Sequence, residues 1–283
     1  MFSSKVSLFQ QRFAQAGVDG ARRVAEELFA ELLQCKPLET YLQNNPLSAD
    51  QEKRLEQMAC RIEQGEPLQY VLGKTEFFGR TFFCDSRALI PRPETELLVE
   101  QLLASLFWEK ECPKLVEVGS GSGCIIITLA LERGNADYTA IDLSEEALEL
   151  AKENAVYHGV EPRIRWKQQS LLEHFSSPRF DAIIANLPYI PTVQWEGLDR
   201  SVRDHEPRMA LEGGVSGLEL IERLLGQAQK TLLPGGWIFL EFGFDQGAAV
   251  KNLLEKAGFV SIQIKQDLAG HDRIGIGQWP EQI

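Results

Sequence analysis

The 283-residue sequence predicts an α/β fold, a mostly parallel sheet wrapped by helices, with a small helical domain ahead of it. Three observations carry that reading. From Lys114 onward, short apolar strand-like segments alternate with helix-like ones, the pattern of a parallel sheet with right-handed crossovers. Residues 1–73 carry helical apolar stripes and no strand pattern. The length is ample for one large α/β domain and a smaller companion.

In chain order, Ala21 to Gln34 reads as a helix, because Val24, Leu28 and Leu32, with Ala25, Phe29 and Leu33, form one stripe that ends before Pro37. Ser48 and Gln51 make a capping-box signature ahead of Leu55, Met58, Ala59 and Ile62, and Gly65 with Pro67 stops that helix. From Gly73 to Phe83 the texture becomes aromatic and hairpin-like around Gly79-Arg80. Pro93 suits the first turn of a helix whose buried face is Leu97, Leu98, Leu102 and Leu106. Strands follow near 114–118, 137–141, 163–167, 181–185 and 236–241, with helices between. The expected divisions are a helical domain over 1–73, a linker over 74–91 and the α/β domain over 92–283. There is no internal repeat and no low-complexity segment.

Composition is globular, with 44% hydrophobic and 25% charged residues. A net charge of −12 argues against a protein that lives on nucleic acid, which needs a basic face. Residues 1–75 hold 9 basic and 10 acidic side chains, so the acidity sits in the larger C-terminal part. Five scattered cysteines without a C-x-x-C pair read as reduced thiols, and four dispersed histidines lack ligand spacing, so no metal is expected. No signal-peptide core opens the chain, and the apolar run at Cys124-Ile125-Ile126-Ile127 is too short to span a bilayer. These features imply a soluble, cytoplasmic protein.

Two loops carry the chemistry. Leu115 to Val118 is a strand that runs through Gly119-Ser120-Gly121-Ser122-Gly123 into an apolar helix. The pattern is acidic-x-G-x-G-x-G from Glu117; G-x-G-x-x-G and the phosphate-cradling P-loop are both absent. Such a loop is also common as plain structure. Asp142, at the end of the next strand, stands where a carboxylate accepts from both ribose hydroxyls. Ser144 is the better cap for the following helix, with Leu143 and Leu148 in staple positions, which leaves Asp142 for a ligand. A ribose seat without a pyrophosphate site, with Glu117 near an amino group, points to S-adenosyl-L-methionine. Ser170 and Leu171, with Leu172, follow the third strand where an adenine would be flanked.

The second loop is Asn186-Leu187-Pro188-Tyr189, after the buried run Ala182 to Ala185. Pro188 restricts Leu187 to extended conformations, so the loop is stiff. The Asn186 oxygen and the Leu187 carbonyl accept from a planar –NH2 group, and Tyr189 packs on its plane. An ordinary strand-to-loop turn is the plain alternative.

The loop resembles the N-P-P-Y loop of class I amino-methyltransferases that act on planar nitrogen. Tyr70-Val-Leu-Gly73, Glu76-Phe77-Phe78-Gly79, Leu89-Ile-Pro-Arg-Pro-Glu-Thr-Glu96 and Glu206-Pro207 narrow the resemblance. Gly213-Gly214 with Ser216-Gly217-Leu218, Glu241-Phe-Gly243 with Gln246, and Asp267-Leu268 with Gly270 and Asp272-Arg273 extend it. In that order the set is similar to the HemK/PrmC family, the protein-glutamine methyltransferases of peptide chain release factors, over residues 68 to 277. Two positions depart from the family pattern: Leu187 replaces the first loop proline, and Ser170 replaces the usual acidic residue.

The resemblance implies a class I S-adenosylmethionine-dependent methyltransferase with a Rossmann-like, seven-stranded sheet. It implies Asn186, Leu187, Pro188 and Tyr189 as catalytic residues. Cofactor contacts would fall to Glu117, Gly119, Ser120, Gly121, Ser122, Gly123, Asp142, Ser170, Leu171 and Asn186. The implied substrate is the glutamine of the Gly-Gly-Gln motif in release factors, methylated by a monomer with no direct nucleic-acid or membrane partner. Methylation of a ribosomal-protein glutamine, methylation of nucleic-acid amino groups, and an inactive adaptor are the rival readings.

Overall fold

The computed structural model describes residues 2–42 and 46–281, which form two compact units. One comprises Met1–Lys74 with Leu198–Glu206, and the other Thr75–Gly197 with Pro207–Ile283. The inclusion of Leu198–Glu206 in the first unit has no signal in the local sequence pattern.

The first unit is helical. α1 (Phe2–Gln15), α2 (Ala21–Leu33), α3 (Ala49–Glu63) and the short α4 (Leu68–Leu72) bury Phe9, Phe13, Leu28, Phe29 and Ile62 in one core. The stripe read from residues 21–34 is α2, closed by Gln34 in the left-handed region (φ 52°), and Pro37 opens a 3₁₀ turn, Pro37–Leu42, beyond it. Ser48 and Gln51 form the reciprocal capping box of α3. Arg12 ties α1 to α3 through Glu56 and Glu63, at 2.8 Å each. The sequence reading names no separate helix over residues 2–15, although Val6, Phe9 and Phe13 recur at the i, i+3, i+7 spacing of a buried helix face.

The second unit opens with a hairpin, β1 (Lys74–Phe77) and β2 (Arg80–Phe83). Its two turn residues are Phe78 and Gly79, both at positive φ (51° and 69°), a turn that matches the twist of paired strands. Phe78 holds this unusual conformation by donating its N–H to Glu96 Oε1 at 2.8 Å, while Arg80 donates to its carbonyl at 3.0 Å. α5 (Pro93–Leu103) starts on Pro93 as the sequence predicts.

The sheet is built from β3 (Lys114–Val118), β4 (Asp137–Asp142) and β5 (Ile164–Gln168), with α6 (Cys124–Glu132) and α7 (Glu145–Tyr157) as crossovers. β6 (Phe180–Asn186) follows, then a short β7 (Ile190–Pro191), α8 (Arg200–Arg203, within the first unit) and β8 (Glu212–Gly214). α9 (Glu219–Thr231), β9 (Leu232–Glu241), α10 (Gly247–Lys256), β10 (Val260–Gln266) and β11 (Asp272–Gln278) complete the chain. Among the described residues the sheet has seven strands in the order β10-β11-β9-β6-β3-β4-β5. β5, β4, β3, β6 and β9 run parallel, and β11 pairs antiparallel to both β9 and β10. β3 and β6 are apolar and buried because both faces are covered, as a parallel sheet requires.

Candidate active site

The order of strands reverses at the centre of the sheet: the chain moves from β3 outward to β5, then returns to β6 on the other side of β3. A crevice must open at the carboxyl ends of strands at such a point. There the structure has a cavity of about 510 Å³, lined by the ends of β3, β4 and β6, the loops that follow them, and the segment before α5.

The glycine loop forms the floor. Gly119 and Ser120 donate their N–H groups to the Ile141 carbonyl at 2.8 and 2.9 Å, which pins the loop to β4. Gly119 is at φ 77°, and a Cβ there would lie 3.1 Å from Leu187 Cδ2 and 3.4 Å from the Asn186 carbonyl oxygen. The two loops read separately in the sequence therefore touch. Asn154, fully buried on α7, donates to the Ser122 carbonyl at 3.0 Å and accepts from Phe83 N–H at 2.7 Å, holding loop and hairpin together.

Two carboxyls, Glu117 buried and Asp142 half-buried, face the same cavity. Glu117 is 1% exposed and accepts from Ile126 N–H at 3.0 Å. Burial raises its proton affinity well above the ordinary carboxyl range, with that N–H working against the shift and Asp142 adding to it. Asp142 is also raised by burial, against opposing hydrogen bonds from backbone N–H groups. It accepts from Gly121 N–H at 2.8 Å and Ser144 N–H at 2.9 Å. Ser144 caps α7 at Ala147 N–H as expected, yet Asp142 is not left wholly to a ligand, since it braces both the glycine loop and the start of the helix. Leu143 is 56% exposed, so the staple with Leu148 does not bury it; it lines the cavity instead.

On the far wall, Ser170 and Leu171 line the cavity beside Gln169. Leu171 is in the left-handed region at φ 47°, and Gln169 Nε2, buried, secures its carbonyl at 2.8 Å. Ser170 accepts from Arg223 at 3.4 Å, a contact an acidic residue would strengthen.

Asn186 ends β6, opposite Glu241 in the β6–β9 register. Its Nδ2 donates to Thr95 Oγ1 at 3.2 Å. The following loop is clamped by glycines: a Cβ on Gly213 would sit 2.4 Å from the Pro188 carbonyl oxygen, and one on Gly217 2.1 Å from that of Tyr189. Gln246 donates to the Tyr189 carbonyl at 2.9 Å and accepts from Gly243 N–H at 2.8 Å. Leu187 is buried at 5% exposure in the core beside β6. Tyr189 is half-buried, and desolvation with Glu241 nearby pushes its hydroxyl up to about 12, so it stays protonated.

Of the residues singled out in the sequence, Glu117, Gly119, Ser120, Gly121, Ser122, Asp142, Ser170, Leu171, Asn186, Leu187 and Pro188 line this one cavity. Gly123 and Tyr189 are set back from it. Gly123 caps α6 at φ 79°, where a Cβ would collide with Ile127 and Ala151, so its role is packing. Thr95, Asn154, Gln169, Glu241 and Gln246 are positioning groups that the sequence reading did not select, although Thr95, Glu241 and Gln246 lie inside motifs quoted above. Among the described residues no three His, Cys, Asp or Glu side chains gather as metal ligands, and no helix is long and apolar enough to cross a membrane.

Comparison with known proteins gives two family matches: the PrmC N-terminal domain over residues 6–73 and the methyltransferase small domain over residues 93–196. The release factor glutamine methyltransferase of Chlorobaculum tepidum is 39% identical over 271 residues, covering 92% of this chain and 91% of that protein. That of Geobacter sulfurreducens is 36% identical over 262 residues, covering 92% and 90%. The crystal structure of a methyltransferase from Pyrococcus furiosus matches with a TM-score of 0.53 at 18% identity, over 82% of this chain and all of that one. The fold is that of a class I methyltransferase.

Proposed function

The chain belongs to the release factor glutamine methyltransferase family, and from that membership we propose that its cavity seats the Gly-Gly-Gln glutamine of peptide chain release factors for methylation by S-adenosyl-L-methionine. The observation that carries this reading is the meeting of Asn186 and Leu187 with Glu117, Asp142 and the glycine loop around one cavity.

The cavity suits such a cofactor on its own terms. The carboxyls at the ends of β3 and β4 accept from hydroxyl and amino groups, and Ser120 Oγ is buried on the wall with no partner. The absence of a Cβ at Gly119 and Gly121 lets backbone come close to a ligand. Asp142 would take the ribose hydroxyls, Glu117 and the glycine loop the amino-acid end, and Ser170 with Leu171 the adenine. When bound, the cofactor supplies an electrophilic methyl group on its sulfonium.

An amide nitrogen is a poor nucleophile because its lone pair is delocalised into the carbonyl. Asn186 Oδ1 and the Leu187 carbonyl accept from its two N–H groups and turn the nitrogen toward the methyl carbon, while Tyr189, set back from the cavity, anchors the loop through its Gln246-bonded carbonyl. Positioning of this kind is worth about 7–11 kcal/mol in favourable cases. No base has to act before transfer, which agrees with a loop that has no His or Cys. As the C–N bond forms and the methyl–sulfur bond breaks, a thioether leaves and the nitrogen gives up one proton to solvent.

The helical unit, with the family's N-terminal domain match, is assigned the grip on the release factor. The enzyme acts in the cytoplasm as a monomer, without contacting nucleic acid. The assignment is tested by presenting methyl-labelled cofactor and this protein with release factors, ribosomal proteins, RNA and DNA in parallel. Label in release factors alone is expected. Label in ribosomal protein or nucleic acid, with release factors unlabelled, overturns it.

A further inference from the structure

The seat proposed above works only if Asn186 turns its oxygen, not its NH2 group, toward the cavity. The two ends of a side-chain amide have nearly the same shape, so something beside the residue must choose. Beside Asn186 stand Thr95, on the first turn of α5 and itself on the cavity wall, and Glu241, the last residue of β9 and set back from the cavity. They are 3% and 2% exposed. Asn186 Nδ2 donates to Thr95 Oγ1 at 3.2 Å, and Asn186 and Glu241 are direct partners in the β6–β9 register. One Glu241 oxygen, Oε2, is buried with no partner of its own.

We propose that Glu241, relayed in part by Thr95, is the positioning residue that fixes the orientation of the Asn186 amide. An ionised carboxylate can only accept hydrogen bonds, so it takes the NH2 end of Asn186 and leaves Oδ1 for the substrate nitrogen. A protonated Glu241 has a proton to give, satisfies the oxygen end equally well, and removes the bias. The inference rests on the substrate seat described above but concerns the seat's own geometry.

The carboxyl is poised for such a role. Burial pushes it up to about 7, against the Thr95 hydroxyl, Arg273 and Asn186, which favour its charge. The charged and titratable groups around it come from every neighbouring element: Glu94 on α5, Cys124 on α6, Tyr189 after β6 and Arg273 on β11. Arg273 is divided between this site and Asp267, which it meets at 3.1 Å, so it does not neutralise Glu241 outright.

Nitrogen-15 NMR of the whole protein reads the relay without any turnover. The Asn186 NH2 pair, identified by its loss in Asn186→Asp, is expected to shift in one step near pH 7, and in Glu241→Gln that step disappears. Thr95→Val displaces the pair, while Thr95→Ser, which keeps the hydroxyl, restores its position. In assays, kcat rises with pH on the same step, and in Glu241→Gln it falls about 10- to 100-fold, the size of a hydrogen bond to a charged group, and loses that step. Cofactor affinity is expected to stay within about threefold of the wild type, because Glu241 does not line the cavity. An NH2 pair indifferent to pH and to Glu241→Gln, or a Glu241→Gln kcat equal to wild type, overturns the inference. If the pair tracks Glu241 while release factors gain no methyl, the inference stands and the substrate assignment falls.

Discussion

Glu117, Asp142 and Glu241 are carboxyls that burial holds above their ordinary range, and each lies at the carboxyl end of a strand. The folded chain therefore keeps protons that the unfolded chain has released, between the ordinary carboxyl value and the raised one. Stability must fall as pH rises through that window, which ends near 7 for Glu241. Thermal unfolding of the ligand-free protein at about pH 5.5 and about pH 8 should register this loss, and Glu241→Gln should reduce it. A pH dependence unchanged in the variant would contradict the assignment. Asp142→Asn keeps the shape of the brace but removes the charge offered to a ribose. It is expected to weaken cofactor binding by about 1.5–3 kcal/mol in calorimetry, the scale of a charged hydrogen bond. The positions of Glu117 and Asp142 on the cavity wall are readable from sequence because each sits at or near the end of its own strand. The grouping of Asn186, Thr95 and Glu241 is not, since they are far apart in the chain: strand order sets Asn186 beside Glu241, and α5 brings Thr95 to Asn186.

At the scale of elements, the loop Asn186–Tyr189 owes its shape to its neighbours as much as to Pro188. Gly217→Ala would drive a Cβ into the Tyr189 carbonyl and strain a residue at φ 79°. The expected result is a loss of kcat of about 10- to 100-fold, since small misplacements of reacting groups are costly, with cofactor affinity largely kept. Equal loss of both would show that the clamp serves the whole cavity. Leu187→Ala empties a buried position against Gly119 and should cost about 2–5 kcal/mol in denaturant unfolding. The five strands expected from local pattern are all present; four hold a buried apolar core, and β5, with Ile164 as its one buried residue, is placed by the strand–helix alternation. β10 and β11 were not placed by pattern. β10 has no buried position, as befits an edge strand, and β11 carries Gly275 and Gly277, residues that usually weaken a strand. Both glycines are there because α10 packs close: added Cβ atoms would meet Val250 or Leu254 at 3.1–3.2 Å.

For the whole molecule, the proposal that the helical unit selects the protein substrate is tested on its exposed apolar residues. Leu38 and Leu42, on the 3₁₀ turn after α2, are 80% and 76% exposed. Replacing both with Asp is expected to raise KM for intact release factor several-fold, while leaving turnover of a short Gly-Gly-Gln peptide unchanged. Equal effects on both substrates would remove the helical unit from recognition. That Leu198–Glu206 folds with this unit could not be read from sequence, because the segment is short and its partners lie more than a hundred residues away. The most direct measurement is peptide mass spectrometry of purified release factors after incubation with this protein and S-adenosyl-L-methionine. The account predicts one added methyl on the glutamine of Gly-Gly-Gln, lost when Asn186 is replaced by Ala. An unmodified glutamine with cofactor bound, or full modification by Asn186→Ala, would contradict it.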